Sequence, residues 1–130
     1  MRINGSCLCG KVSYSISGSV GDIVHCHCRT CRKAHASAFS SVAAVNDDDF
    51  EIAGSELLSS FESSNGKMRY FCSDCGTQIY AKKEGTSHII LRLGSLDDDP
   101  GSAEINHIWV SQKASWYTIK SDLPEHQEFE

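Results

Sequence analysis

The sequence predicts a mainly β fold of short antiparallel strands. Three observations carry that expectation. Apolar and β-branched residues fall in runs of about four to eight, most of them close to Gly, Asn, Asp or Ser. The stretch "VSYSIS" alternates, with Val12, Tyr14 and Ile16 on one face and serines on the other. The best candidate for a helical turn is the single stretch Arg29–His35. In chain order the expected strands are Lys11–Ser17, Val20–Cys26, Ala38–Val45, Phe50–Ala53, Leu57–Glu62, Met68–Phe71, Thr77–Ala81, His88–Leu93 and His107–Val110. The acidic stretches "DDDF" and "DDDP" read as solvated turns, because Asp favours turns through hydrogen bonds to its own backbone.

The chain has 130 residues, which fits one domain spanning 1–130 that buries about two-thirds of its unfolded surface. Its 40% apolar and 22% charged residues are ordinary for a globular chain. A formal charge of −5 argues against nucleic acid as a partner, since phosphate-backbone binding needs a basic footprint. No apolar run approaches the roughly 18 residues of a membrane span, so no membrane partner is expected; an oligomer is compatible with the sequence. The opening "MRINGSCLCG" has no signal-like apolar region, so a cytoplasmic location is expected. In that reducing setting clustered cysteines are metal-binding or catalytic, and seven cysteines cannot all pair as disulfides.

The cysteines form three clusters: Cys7 with Cys9, Cys26 with Cys28 and Cys31, and Cys72 with Cys75. A C-x-x-C turn followed by glycine brings two thiolates to one metal. In an extended segment Cys7 and Cys9, two residues apart, point to the same face. Together Cys7, Cys9, Cys72 and Cys75 complete a four-sulfur set, the usual closed structural zinc arrangement. Cys26, Cys28 and Cys31 are then left with three sulfurs. Ligand arithmetic leaves three readings open: a closed site completed by a histidine (His25, His27, His35 or His107), an open site with a position for water or substrate, and a metal-free redox triplet. On a strand His25 and His27 face away from Cys26, which weakens them as co-ligands. The neighbours Arg29, Arg32 and Lys33 are cationic, which favours thiolates and would attract an anionic substrate. A zinc on three thiolates is a weaker Lewis acid than one on three histidines, which suits thiol chemistry better than hydrolysis. "HIW" places His107 and Trp109 on one strand face, where both could line a pocket.

The segments "GSCLCGKVSY", "HCHCRTCRKAHASAF", "RYFCSDCGTQIY", "LGSLDDDP", "HIWVSQKASWYTI" and "DLPEHQEF" occur in the order seen in the glutathione-dependent formaldehyde-activating enzyme family, which also includes centromere protein V. The sequence resembles that family over roughly residues 5 to 130. The resemblance implies a zinc-binding β-tent fold, shared with methionine-R-sulfoxide reductases. It implies two zinc ions per chain, a structural one on Cys7, Cys9, Cys72 and Cys75 and a second on Cys26, Cys28 and Cys31. The implied activity joins formaldehyde to glutathione, as co-substrate, to give S-hydroxymethylglutathione; it is classed as a carbon–sulfur lyase after the reverse reaction. The partners would then be a small thiol and an aldehyde, with Arg29, Arg32 and Lys33 as contacts for the thiol's carboxylates. Where the family often has "KAPW", this chain has Ser115 before Trp116. A non-enzymatic zinc scaffold is the competing reading.

Overall fold

The computed structural model describes residues 2–129. Its elements are β1 (Ile3–Ser6), β2 (Ser13–Ile16), β3 (Ile23–Cys26), α1 (Arg29–His35), β4 (Ser40–Asn46), β5 (Phe50–Ala53), β6 (Leu58–Ser64), β7 (Lys67–Cys72), β8 (Gln78–Lys83), β9 (His88–Arg92) and β10 (Glu104–Ile108), joined by single-turn 3-10 segments. Strands make up 42% of the chain and helices 15%, so the mainly β class holds. The chain divides into two compact units: residues up to Gly21 with Ala43–Gly101, and Asp22–Val42 with the residues from Ser102 onward.

The first unit contains a three-stranded antiparallel sheet in the order β1-β2-β5. It also holds the second part of β4 followed by β9, β8, β7 and β6. The pairs β6–β7, β7–β8 and β8–β9 are antiparallel. The alternation of "VSYSIS" does what its period predicts: Val12, Tyr14 and Ile16 are buried. They pack with Val45, Cys72, Ile79, Ile89 and Leu91 into one apolar cluster. Tyr14 reaches across it to bond Ser95 Oγ at 2.7 Å, and the Ser95 hydroxyl donates to the Arg92 carbonyl at 2.8 Å.

The acidic stretches do more than face solvent. Asp98 Oδ2 accepts from the main-chain and side-chain nitrogens of Asn4, and Asp97 Oδ2 accepts from Ser6 Oγ, so "DDDP" secures β1. Asp47 pairs with Lys82 at 2.6 Å. Strand β1 itself was not expected from the sequence, because "INGS" holds a single β-branched residue. Its Gly5 is required: a Cβ there would come within 2.2 Å of the Tyr14 ring.

In the second unit β3 pairs with β10 in parallel and with the start of β4 antiparallel. The helix α1 is only seven residues long, too short to persist alone. Cys28 caps its first turn by accepting from Cys31 N–H. Ala36 ends it in the left-handed region at a φ of 49°, with the Ser37 N–H returning to the Arg32 carbonyl. The C-terminal stretch runs beside β10: His107 N–H donates to the Pro124 carbonyl and His126 N–H to the His107 carbonyl, both at 2.9 Å. Most expected boundaries shift by one or two residues, and two strands start three residues from the expected position. The strand expected from Val20 begins at Ile23, after Gly21 N–H has bonded the Ala44 carbonyl. The strand expected at His107–Val110 is Glu104–Ile108, because Trp109 takes a φ of 57° and turns the chain.

Burial pushes the Tyr14 phenol up to about 12. The folded state therefore disfavours ionisation, and Tyr14 contributes stability below about pH 10 that is lost as pH rises through the folded value. Tyr14→Phe should lower stability at pH 7 by about 1 kcal/mol, and the gap to wild type should narrow between about pH 10 and 12. Urea unfolding at both ends of that window checks it; a gap constant with pH would contradict the assignment.

Candidate metal centres

The first group is built from two chain turns of the first unit. Gly10 N–H bonds the Cys7 carbonyl at 3.0 Å, so Cys7 and Cys9 sit on a tight turn after β1 and not on the extended segment the sequence suggests. Gly76, with a φ of 79°, sends its N–H to the Cys72 carbonyl at 2.8 Å and folds Cys72 and Cys75 into a knuckle after β7. The four Sγ atoms lie within 4.8 Å of one another. Cys7 Sγ is 3.5 Å from Cys9 Sγ, and Cys9 Sγ is 3.8 Å from Cys72 Sγ. A tetrahedral zinc with Zn–S near 2.3 Å would space its sulfurs by about 3.8 Å. The donor set and the spacing therefore fit a closed four-sulfur ion.

Thr77, which the sequence reading passed over, joins the two turns. Its hydroxyl accepts from Leu8 N–H at 3.0 Å and lies 3.3 Å from Cys75 Sγ, to which it donates. Lys11 and Asp74 add an ion pair of 2.7 Å between the same turns. The Thr77 hydroxyl, followed by the main-chain N–H groups of Thr77 and Cys9, holds the Cys75 thiol down at about 5. The signal available in the sequence was Thr after "CSDCG", the hydroxyl next to the knuckle.

The second group lies in the second unit. Cys26 ends β3, Cys28 is the α1 cap and Cys31 lies in the first turn of α1. Their three Sγ atoms are also within 4.8 Å of one another. Cys26 and Cys31 are buried with Ile108, while Cys28 is half-buried and gives the group its solvent side. Hydrogen bonds with Cys28 and Cys31, and then burial, push the Cys26 thiol up. Three thiols this close cannot all ionise without a counter-charge, and a dication is the fitting one. Among the described residues no histidine, aspartate or glutamate joins this group. His25 is turned away, bonded to Ser41 at 2.8 Å and Glu104 at 2.9 Å, and His27 is bonded to His107 at 2.8 Å. That disfavours the closed cysteine–histidine reading. All seven cysteines are free of disulfides.

Beside the group, Arg29, Arg32 and Lys33 line one depression of about 320 Å³ together with Ala36, Ser37 and Trp116. Trp116 is 69% exposed, a surface wall. Gln112 latches the helix from outside: its Oε1 accepts from Arg29 N–H at 2.8 Å and its carbonyl from Arg32 Nη1 at 2.9 Å. The expected shared face of His107 and Trp109 does not form. The turn at Trp109 breaks the alternation, so Trp109 packs on the cysteine cluster while His107 bonds His27.

Fold and site together define a β protein with one four-cysteine and one three-cysteine group able to hold metal ions. The family model of the glutathione-dependent formaldehyde-activating enzyme matches residues 2–112, and the chain belongs to that family. A relative from Aspergillus flavus, named provisionally as such an enzyme, is 31% identical over 113 residues, 85% of this chain and 53% of that protein. A relative from Schizosaccharomyces pombe, named an uncharacterized lyase, is 29% identical over 76 residues, 58% of this chain and 54% of that one. The chain spans about half the length of these relatives. A crystal structure of a Rhodobacter sphaeroides protein matches with a TM-score of 0.61 at 20% identity, covering 78% of this chain and 97% of that one; it shows the fold.

Thr77→Val removes both bonds at the first group and should cost about 1–2 kcal/mol of stability. Thr77→Ser keeps the hydroxyl and should retain most of it. A Thr77→Val variant as stable as wild type in urea unfolding, or a Thr77→Ser variant as destabilised as Thr77→Val, would contradict the role given to the hydroxyl.

Proposed function

We propose that this chain is a zinc-dependent enzyme of the carbon–sulfur lyase type, which joins a small thiol, glutathione foremost, to formaldehyde and runs the reverse cleavage. Family membership and the names of its relatives support the reading. The observation that carries it is the three-sulfur group with its half-exposed Cys28, lacking a fourth protein ligand among the described residues and bordered by a cationic depression. Cys7, Cys9, Cys72 and Cys75 would hold a structural zinc. Cys26, Cys28 and Cys31 would hold the second ion, which when bound keeps a thiol in its thiolate form at neutral pH.

The chain's own residues supply the rest. Arg29, Arg32 and Lys33 meet the carboxylates of the thiol substrate, and Gln112 fixes Arg32 for that contact. Holding the thiol in place lowers the entropy cost of meeting the aldehyde. The sulfur then adds to the carbonyl carbon. The new S–C bond forms as the carbonyl oxygen takes up a proton, and the reverse path breaks that bond. A reducing compartment such as the cytoplasm suits a site built of free thiols.

Purified protein should carry two zinc ions per chain, and Cys28→Ser should lower this to about one. Exchange spectroscopy of formaldehyde and glutathione at equilibrium tests the activity. A rate no faster than the protein-free background, with both zinc ions bound, would favour a scaffold instead.

Lys33→Glu places a negative charge in the depression without touching a cysteine. It should raise KM for glutathione about tenfold, the scale of one charge-assisted contact, and leave a neutral thiol such as 2-mercaptoethanol unaffected. Equal effects on both thiols would remove the depression from the substrate site.

A further inference from the structure

The buried imidazoles of the second unit take no part in the chemistry above. His27 is fully buried, and its Nε2 lies 2.8 Å from His107 Nδ1. His107 is 4% exposed, with its Nε2 3.2 Å from Ser121 Oγ. Phe39 and Tyr117 flank the His27 ring, and His25 and Phe39 lie against His107. Two buried ring nitrogens 2.8 Å apart share one proton in the bond between them.

His27 Nδ1 is buried and has no hydrogen-bond partner among the described residues. Were His107 the donor, His27 would carry its proton on that Nδ1, an orphaned buried N–H. Such orphans are rarer than unpaired acceptors. His27 Nε2–H therefore donates to His107 Nδ1, and His107 Nε2–H donates to Ser121.

The place of this bond in the chain gives it meaning. His27 is the residue between Cys26 and Cys28. Its main-chain N–H bonds the Ile108 carbonyl at 2.9 Å, while its side chain bonds His107, the residue before Ile108. Two bonds to consecutive residues of β10 leave the segment between the two cysteines no freedom to rotate. Because the side chain of His27 is anchored on one face, the sulfurs of Cys26 and Cys28 are held on the other. We propose that His27 and His107 are positioning residues for the second cysteine group, their bond setting the gap between the Cys26 and Cys28 sulfurs. This rests on that group holding zinc, as proposed above, and is independent of which thiol or aldehyde the enzyme takes.

The test measures metal, not turnover. Zinc affinity by chelator competition and the visible spectrum of cobalt-substituted protein are recorded for wild type, His107→Leu and His107→Asn. The asparagine amide oxygen falls where the imidazole Nδ1 accepts. His107→Leu should weaken the second zinc about 10- to 100-fold, as loss of a supporting bond does in other metal sites. It should also shift the cobalt bands and leave the four-cysteine ion in place. His107→Asn should recover most of both. A leucine variant with unchanged affinity and spectrum overturns the proposal, as does an asparagine variant no better than leucine. If His107→Leu does not fold, His107→Gln, whose amide lies beyond the Nδ1 position, takes its place in the comparison. A wild-type protein that binds only one metal overturns the two-zinc reading, and this proposal with it.

Discussion

Four sulfur atoms brought to tetrahedral spacing from two distant parts of the sequence are the constraint on which the first unit depends. Cys7 and Cys9 lie on the turn after β1, Cys72 and Cys75 on the turn after β7. Each turn is closed by its own glycine bond, and the Thr77 hydroxyl then spans them. The turns are thus held in register by ordinary hydrogen bonds before any ion is considered. An ion added there meets a site that has already met its ordering entropy, which is how a structural centre becomes a contribution to folding. Cys72 and Cys7 belong to the same buried cluster as Val12, Ile16 and Leu91, so the centre is continuous with the core.

The second group is made differently, and the difference points to chemistry. Three sulfurs come from a strand end, a helix cap and the first turn of that helix, within six positions of sequence. Cys28 has two duties: its sulfur caps α1, and it forms the solvent edge of the group. Local sequence therefore supplies the sulfurs, while longer-range contacts supply the orientation: Gln112 at the helix start and His107 behind the strand. A closed four-sulfur set suits permanence. A three-sulfur set with one accessible edge suits exchange of a fourth ligand.

Much of this was legible in the sequence. Period-two alternation placed Val12, Tyr14 and Ile16 inward, and cysteine spacing sorted seven thiols into a four and a three. The same alternation turned His25 and His27 away from the sulfurs. What escaped was carried by residues whose role is set by distant partners. Gly5 and the "INGS" strand have almost no local strand signal; they are held by Asp97, Asp98 and the Tyr14 ring. Trp109 was misplaced because a left-handed backbone at a tryptophan leaves no trace in an alternating pattern. Thr77, Gln112 and His107 act through hydrogen bonds to Leu8, Arg29 and His27, between 69 and 83 positions away, which no local rule reveals.

The central claim is that the two groups hold zinc in different ways, one closed by protein sulfur and one open to a substrate thiol. X-ray absorption at the zinc edge, taken with and without glutathione, addresses it directly. The account predicts that adding the thiol leaves the four-sulfur ion unchanged, while the second ion exchanges one light-atom neighbour for a sulfur. A spectrum insensitive to thiol, or a nitrogen neighbour that persists with the thiol present, would contradict it.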